Sequence, residues 1–181
     1  MRKLKFHEQK LLKKVNFLEW KKTNTTREQL VTTKYLLKER DEYKKYNLVV
    51  GMIKKLSETL SRLSDNDPTK LVVAKKLINL LYDAGIISER KLVECTKVNV
   101  SSFCERRLPM VMVKKKMIKT FIHADEFVQH GHIRVGIKTV NDPSVLISRT
   151  MEDFVAWVDS SKVKKKIDEF NDRQDDYNFI S

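Results

Sequence analysis

Apolar residues recur at steps of three and four through most of the first hundred positions. Tyr43, Tyr46, Val50, Ile53, Leu56, Leu60 and Leu63 keep that step through YNLVVGMIKKLSETLSRL, which predicts one buried stripe on a long helix. Asp67 followed by Pro68 supplies an N-cap and a first-turn proline for a further helix through Leu71, Ala74, Leu77, Ile78 and Leu81, closed by Gly85. Upstream, Thr25 and Glu28 have the spacing of a capping box and predict a helix through Leu30, Tyr35 and Leu37. Residues 1–22 set Leu4, Leu11, Leu12, Val15, Phe17 and Leu18 among eight lysines and arginines. That pattern is either an amphipathic helix docked on the core or a basic arm that orders on a nucleic acid.

The pattern changes after residue 100. Ser102 and Glu105 make a second S-x-x-E start signal, placing Arg106, Arg107 and Leu108 in the opening turn of a helix and Pro109 about four residues in. Another helix is expected from Thr120, burying Ala124, Phe127 and Val128 and stopping at Gly131. His132, Ile133, Arg134 and Val135 then alternate, so Ile133 and Val135 face inward while His132 and Arg134 face out. Gly136 opens a turn to Thr139 and Val140, and Asn141, Asp142 and Pro143 mark the next turn. Phe154, Val155, Trp157 and Val158 form an apolar group that packs back on the core. The predicted fold is α+β: a basic arm or helix over 1–24, a helical part over 25–100, a module of two helices and a short strand pair over 101–150, and an extension over 151–181.

Composition narrows the function classes. A formal net charge of +13 on 181 residues points to a polyanionic partner. No run of roughly 18 apolar residues exists, so a membrane span is not expected. Lysines interrupt every apolar run at the start, which removes the uncharged stretch of a signal peptide and places the chain in the cytosol or nucleus. Cys95 and Cys104 are too few for a disulfide framework and fit small buried residues in a reducing compartment.

The chemistry on offer is electrostatic. Arg106, Arg107, Lys114, Lys115, Lys119, His130, His132, Arg134 and Lys138 are the candidate phosphate contacts, with Arg2, Lys3 and Lys5 on the arm. Several fixed cations are what phosphates need, because each neutralised phosphate releases counterions. Arginine acts as a planar fork and lysine as a point charge. Three consecutive lysines fan around a helix at 100° per residue, so they cannot all face one ligand. A metal reading of Cys95, Cys104, His123, His130 and His132 lacks the paired short spacings of a structural zinc site. No phosphate-binding glycine loop or nucleophile elbow occurs, and no catalytic centre or cofactor is expected.

RRLP, HADEFVQHGHIRVG and VNDPS, in that order, resemble the RNA-binding domain of the small-subunit ribosomal protein S-four family over about residues 106–150. Lys115 and Lys116 stand where that family commonly has an apolar residue and a glycine. The arm, the YNLVVGMIKKLSETLSRL helix and RTMEDFVAWVDSSKVKKKI resemble the family's processing-factor branch, carried in the U-three small nucleolar ribonucleoprotein. The resemblance implies a non-enzymatic, nucleolar component of the small-subunit processome. It would bind U-three RNA and the ribosomal RNA precursor and promote their pairing. An M-phase phosphoprotein scaffold and a Brix-domain protein are the implied partners, met through the YNLVVGMIKKL helix or the Trp157 region. A structural small-subunit ribosomal protein of the same family is the alternative.

Overall fold

The structure, a computed structural model, describes residues 2–14 and 22–171. Helix α1 spans Phe6–Lys14 and α2 spans Lys22–Tyr35. Thr25 therefore lies inside α2 rather than at its cap, and the helix stops at Tyr35, where Leu36 turns left-handed at φ +47°. Leu37, expected within the helix, is buried just beyond it. Helix α3 spans Arg40–Arg62. Its buried stripe is Val50, Ile53, Ser57 and Leu60, with Leu56 and Leu63 outside it. The three-or-four rule admits both 56 and 57, and apolarity alone selects the wrong one. Ser57 is tolerated inside because its hydroxyl donates to the Lys54 carbonyl.

Helix α4 runs Pro68–Asp83 and begins as expected, with the Asp67 carboxylate accepting from the Thr69 N–H and hydroxyl. It ends in a Schellman motif: Gly85 N–H bonds the Tyr82 carbonyl and Ile86 N–H the Leu81 carbonyl, with Gly85 at φ +75°. Two short helices follow, α5 over Leu92–Lys97 and α6 over Val100–Cys104. Ser102 is thus not the start of the arginine helix. It sits in α6, and its hydroxyl accepts from the Asn99 N–H. Tyr35, Val50, Ile53, Leu81, Cys95, Phe103 and Cys104 belong to the first hydrophobic core, built from α2 to α6.

A second core begins four residues later with Leu108, Val111 and Met112 of α7 (Leu108–Lys114), Ala124 and Val128 of α8 (Phe121–Gln129), and Ile133 and Ile147. Arg107 is the N-cap of α7, so Pro109 lies in the first turn, where its missing donor is not needed. Strands β1 (Ile133–Val135) and β2 (Lys138–Thr139) form the expected hairpin, pairing Val135 with Lys138 across a two-residue loop. Helix α9 covers Arg149–Glu152. The strand pair is in fact a three-stranded sheet of order β2-β1-β3, because β3 (Val155–Trp157) pairs antiparallel to β1 with Ile133 opposite Trp157. Part of the segment expected as an extension from 151 is therefore structural to the module. Helix α10 spans Lys162–Phe170, capped by the Ser161 hydroxyl.

Candidate nucleic-acid interface

Arg106 and Arg107 fall at the seam between the two cores, and both are buried, at 7% and 2% exposure. Arg106 donates from Nε and Nη2 to the Ile147 carbonyl, at 2.9 and 2.7 Å, and from Nη1 to Glu152 at 2.8 Å. Arg107 reaches back to α3, donating to Glu42 at 2.8 Å and to the Tyr46 hydroxyl at 3.5 Å. Burial disfavours the Arg107 charge, but its hydrogen bond to Glu42 and the attraction of that carboxylate leave its pKa above the usual value. Arg149, which the sequence did not single out, completes the seam. It donates to the Ile87 carbonyl at 2.6 Å and lies 4.1 Å from the Tyr82 ring centroid. Backbone bonds from Leu108 N–H to the Val145 carbonyl and from Ile147 N–H to the Arg106 carbonyl close the same joint. The expectation that the arginine pair faces phosphates is thus corrected: their donors are turned inward to join two units.

The lysines behave differently. Helix α7 ends at Lys114, Lys115 is its C-cap, and Lys116 takes φ +58°, so the triplet does not fan around a helix. Lys116 N–H bonds the Val113 carbonyl and Met117 N–H the Met112 carbonyl, a Schellman ending with lysine in the position that favours glycine. Lys114 is drawn toward Glu105 at 3.6 Å and Lys115 toward Asp153 at 3.8 Å. Lys116 and Lys119 are exposed, as is Lys138 on β2, and none of the three has an ion-pair partner among the described residues. Asp153, which neighbours Lys115, is followed by Phe154, whose carbonyl accepts from Gly136 N–H. That link brings the α7–α8 turn and the β1–β2 loop to one end of the module.

The remaining candidates divide. Arg134 is half-exposed, and its guanidinium donates to the Trp157 and Gly136 carbonyls at 3.1 Å each while lying 3.6 Å from Asp159. It ties β3 and the hairpin loop together and keeps one side toward solvent. His132 is less outward than alternation predicts: its Nδ1 lies 2.9 Å from the Ser161 hydroxyl and its ring meets Phe127 edge-on. His130 is exposed, 6.3 Å away between ring centroids. In the arm, Lys3 and Lys5 are exposed, whereas Arg2 is held by both oxygens of Glu8. That pairing lowers the Glu8 pKa. No residue of α1 is buried, so this part of the arm is helical without being docked through Phe6, Leu11 or Leu12, while Val15, Phe17 and Leu18 lie outside the described residues.

Sequence reasoning left out the basic face of α10. Lys162, Lys165 and Lys166 are exposed, without ion-pair partners among the described residues, and share one helix face at the i, i+3, i+4 spacing. Ser161, which caps α10 and bonds His132, fixes that face beside β1. The lysine spacing was visible. Its attachment to the module was not.

Among the described residues no cluster of three histidine, cysteine, aspartate or glutamate side chains could hold a metal ion, and no helix is long and apolar enough to cross a membrane. Residues 3–105 match the ribosomal protein S4/S9 N-terminal domain and residues 106–153 the S4 domain. The boundary between them is the boundary between the two cores. A U3 small nucleolar ribonucleoprotein protein IMP3 from Saccharomyces cerevisiae is 42% identical over 99% of both chains. Its counterpart in Mus musculus is 44% identical over 98% of this chain and 97% of its own. The chain belongs to the IMP3 family. By contrast, the small ribosomal subunit protein uS4 of Picrophilus torridus is 28% identical over 78% of this chain. The IMP3 matches extend through the sequence beyond residue 153 that contributes β3 and α10, so the family relation covers the α10 face as well as the S4 domain.

Proposed function

We propose that this IMP3-family protein is a non-enzymatic RNA-binding component of the U3 small nucleolar ribonucleoprotein, acting in the nucleolus within the small-subunit processome. The observation that carries the reading is the set of exposed cations Lys116, Lys119 and Lys138, without ion-pair partners among the described residues, at one end of an S4 domain whose Arg106 and Arg107 are already used internally. The full-length relatives, named for the U3 particle, supply the choice of RNA.

The proposed action is to promote pairing of U3 RNA with the ribosomal RNA precursor. Bringing two RNA strands together works against phosphate repulsion over about a Debye length, roughly 8 Å at physiological salt. Cations that meet phosphates of both strands lower that repulsion and release counterions, which favours short duplexes without covalent chemistry. Lys114, Lys115 and Arg134, each near a carboxylate, contribute less to this surface, exposed His130 contributes a donor, and Lys3 and Lys5 offer further cations on the arm. An M-phase phosphoprotein scaffold and a Brix-domain protein are the protein partners in this reading.

The test is annealing of a U3 segment to a complementary precursor spacer segment, followed by fluorescence with and without the full chain at several salt concentrations. Acceleration that fades as salt rises supports the proposal, and a flat salt response with no acceleration overturns it. Gradient sedimentation separates it from the ribosomal alternative: association only with mature small subunits would assign the protein there instead.

A further inference from the structure

The three-stranded sheet commits one face to the second core. Ile133 and Val155 are buried there, and Trp157 meets Phe127 of α8 edge-on. By alternation the other face carries Arg134, with Thr139 on β2 and Ala156 on β3 opposite it. One cross-strand step toward the hairpin loop, Gly136 donates its N–H to the Phe154 carbonyl at 2.9 Å, so Phe154 continues that outer face. Phe154 is 63% exposed, Ile137 in the loop beside it is 99% exposed, and Thr139 is exposed too. The end of the face nearest the loop is therefore open, and a phenyl ring stands in solvent there.

An isolated exposed apolar residue is ordinary, but the setting of this one is specific. Its neighbours on the face are small: Ala156 carries one methyl, and a Cβ built on Gly136 would have no heavy atom within 4 Å. Neither brings a side chain over the ring. Arg134 is the diagonal neighbour, about 7–8 Å away by sheet geometry. Its guanidinium is held by the Trp157 and Gly136 carbonyls at 3.1 Å each, with Nη2 left 3.6 Å from Asp159. Cations border both. Lys138 follows Ile137, Lys115 lies 3.8 Å from Asp153 just before Phe154, and exposed Lys116 is next to Lys115 in the chain.

Lysines alone meet the phosphates of any duplex and gain nothing from a phenyl ring among them. Inside a duplex each base face is covered by the next base pair, so a ring can stack only on a base that is unpaired or terminal. A free aromatic face, a fixed guanidinium within one base's width of it and solvated lysines around the two are the parts of a single-strand nucleotide site. We infer that the outer face of the sheet stacks an unpaired RNA base on Phe154, with Arg134 at the edge of that base and Lys116 and Lys138 on the adjoining phosphates. This rests on the RNA-binding reading and adds a preference to it: a single strand, or its junction with a duplex, over a continuous duplex.

Fluorescence of 2-aminopurine reads such stacking directly. The probe is a short RNA duplex with one unpaired 2-aminopurine nucleotide as an overhang, titrated with the full chain. Its control is the same duplex with an abasic overhang, so that both carry equal charge. The base-bearing probe should bind about tenfold tighter, within the usual range for one stacked base, and its fluorescence should be quenched. The ratio between the probes should persist as salt rises, because stacking releases no counterions. Phe154→Trp should keep the preference and Phe154→Leu should lose it, both with an unchanged melting temperature, since the side chain is mostly exposed. Lys138→Gln should instead weaken both probes alike and lower the salt slope. Equal binding of the two probes by the native chain, or a preference that survives Phe154→Leu, overturns the base contact and leaves the RNA-binding reading standing. Failure of both probes to bind at any salt concentration removes that reading and the base contact with it. Tighter binding to vesicles of anionic phospholipid than to either RNA assigns the patch to a membrane surface and overturns the inference.

Discussion

The seam at residues 106–107 and the turn at residues 114–119 are both cationic, and they lie within one short helix of each other. At the seam every cation is an arginine and is turned inward; at the turn every cation is a lysine and most are solvated. The difference follows from the side chains. A guanidinium carries five donors in a plane, so Arg106 can satisfy one carbonyl twice and a carboxylate once while nearly buried. An ammonium is more strongly hydrated and gains less from such a place. A basic sequence is thus not one surface: arginines can be cement where neighbouring lysines are contact.

Breaking the seam should have the largest effect. Arg107→Ala leaves Glu42 without its partner at a mostly buried site, and the expected loss is about 3–5 kcal/mol in denaturant unfolding. The paired change Arg107→Met with Glu42→Leu should recover most of it, because neither charge is then stranded. If Arg107→Ala leaves stability intact but abolishes RNA binding, the division between cement and contact is wrong.

Gly85→Ala attacks the seam from the other side. The position is left-handed, and an added Cβ would lie 2.8 Å from Cζ of Arg106, a side chain held in place by its hydrogen bonds. A loss of about 2 kcal/mol is expected, the backbone alone accounting for about 1–2. Thermal unfolding measures it.

Lys116→Gly should do the opposite and sharpen the contrast. Removing the side chain from a left-handed residue should stabilise the fold by about 1 kcal/mol. The same change should weaken RNA binding and reduce the slope of log affinity against log salt by roughly 0.7–0.9, one phosphate contact. A stabilised variant with unchanged salt slope would remove Lys116 from the interface.

The smallest effect is a report on the seam. Burial raises the Cys104 thiol to about 11, so it stays protonated and unreactive near neutrality. A thiol held neutral by the fold contributes stability below its unfolded pKa, near 8.5, and loses that contribution as pH rises through about 11. Alkylation at pH 8 should be slow in the native chain and faster in Arg107→Ala, where the seam opens more often.

Legibility in the sequence followed the range of the interaction. Asp67 with Pro68, Gly85 and Gly131 announced helix ends correctly, because a cap is made by residues two to five positions apart. The Ser102–Glu105 signal misled, because Asn99 three residues earlier captured Ser102 for a shorter helix. Leu56 and Ser57 were equally eligible for the stripe, and only the arrangement of α3 on its neighbours chose between them.

By itself, then, the sequence determined the helix ends marked by Asp67 with Pro68, Gly85 and Gly131, the α+β class, the hairpin at Gly136 and a cationic chain suited to a polyanion. Each depends on short-range backbone chemistry or on summed charge, and neither needs the fold to be known. Which cations remain free for that polyanion was decided only in three dimensions. Glu42 stands 65 residues from Arg107 and the Ile147 carbonyl 41 from Arg106, and β3 reaches β1 across an intervening loop and helix. Such partners carry no local signal, because packing of two cores against each other, rather than sequence spacing, brings them within hydrogen-bonding distance.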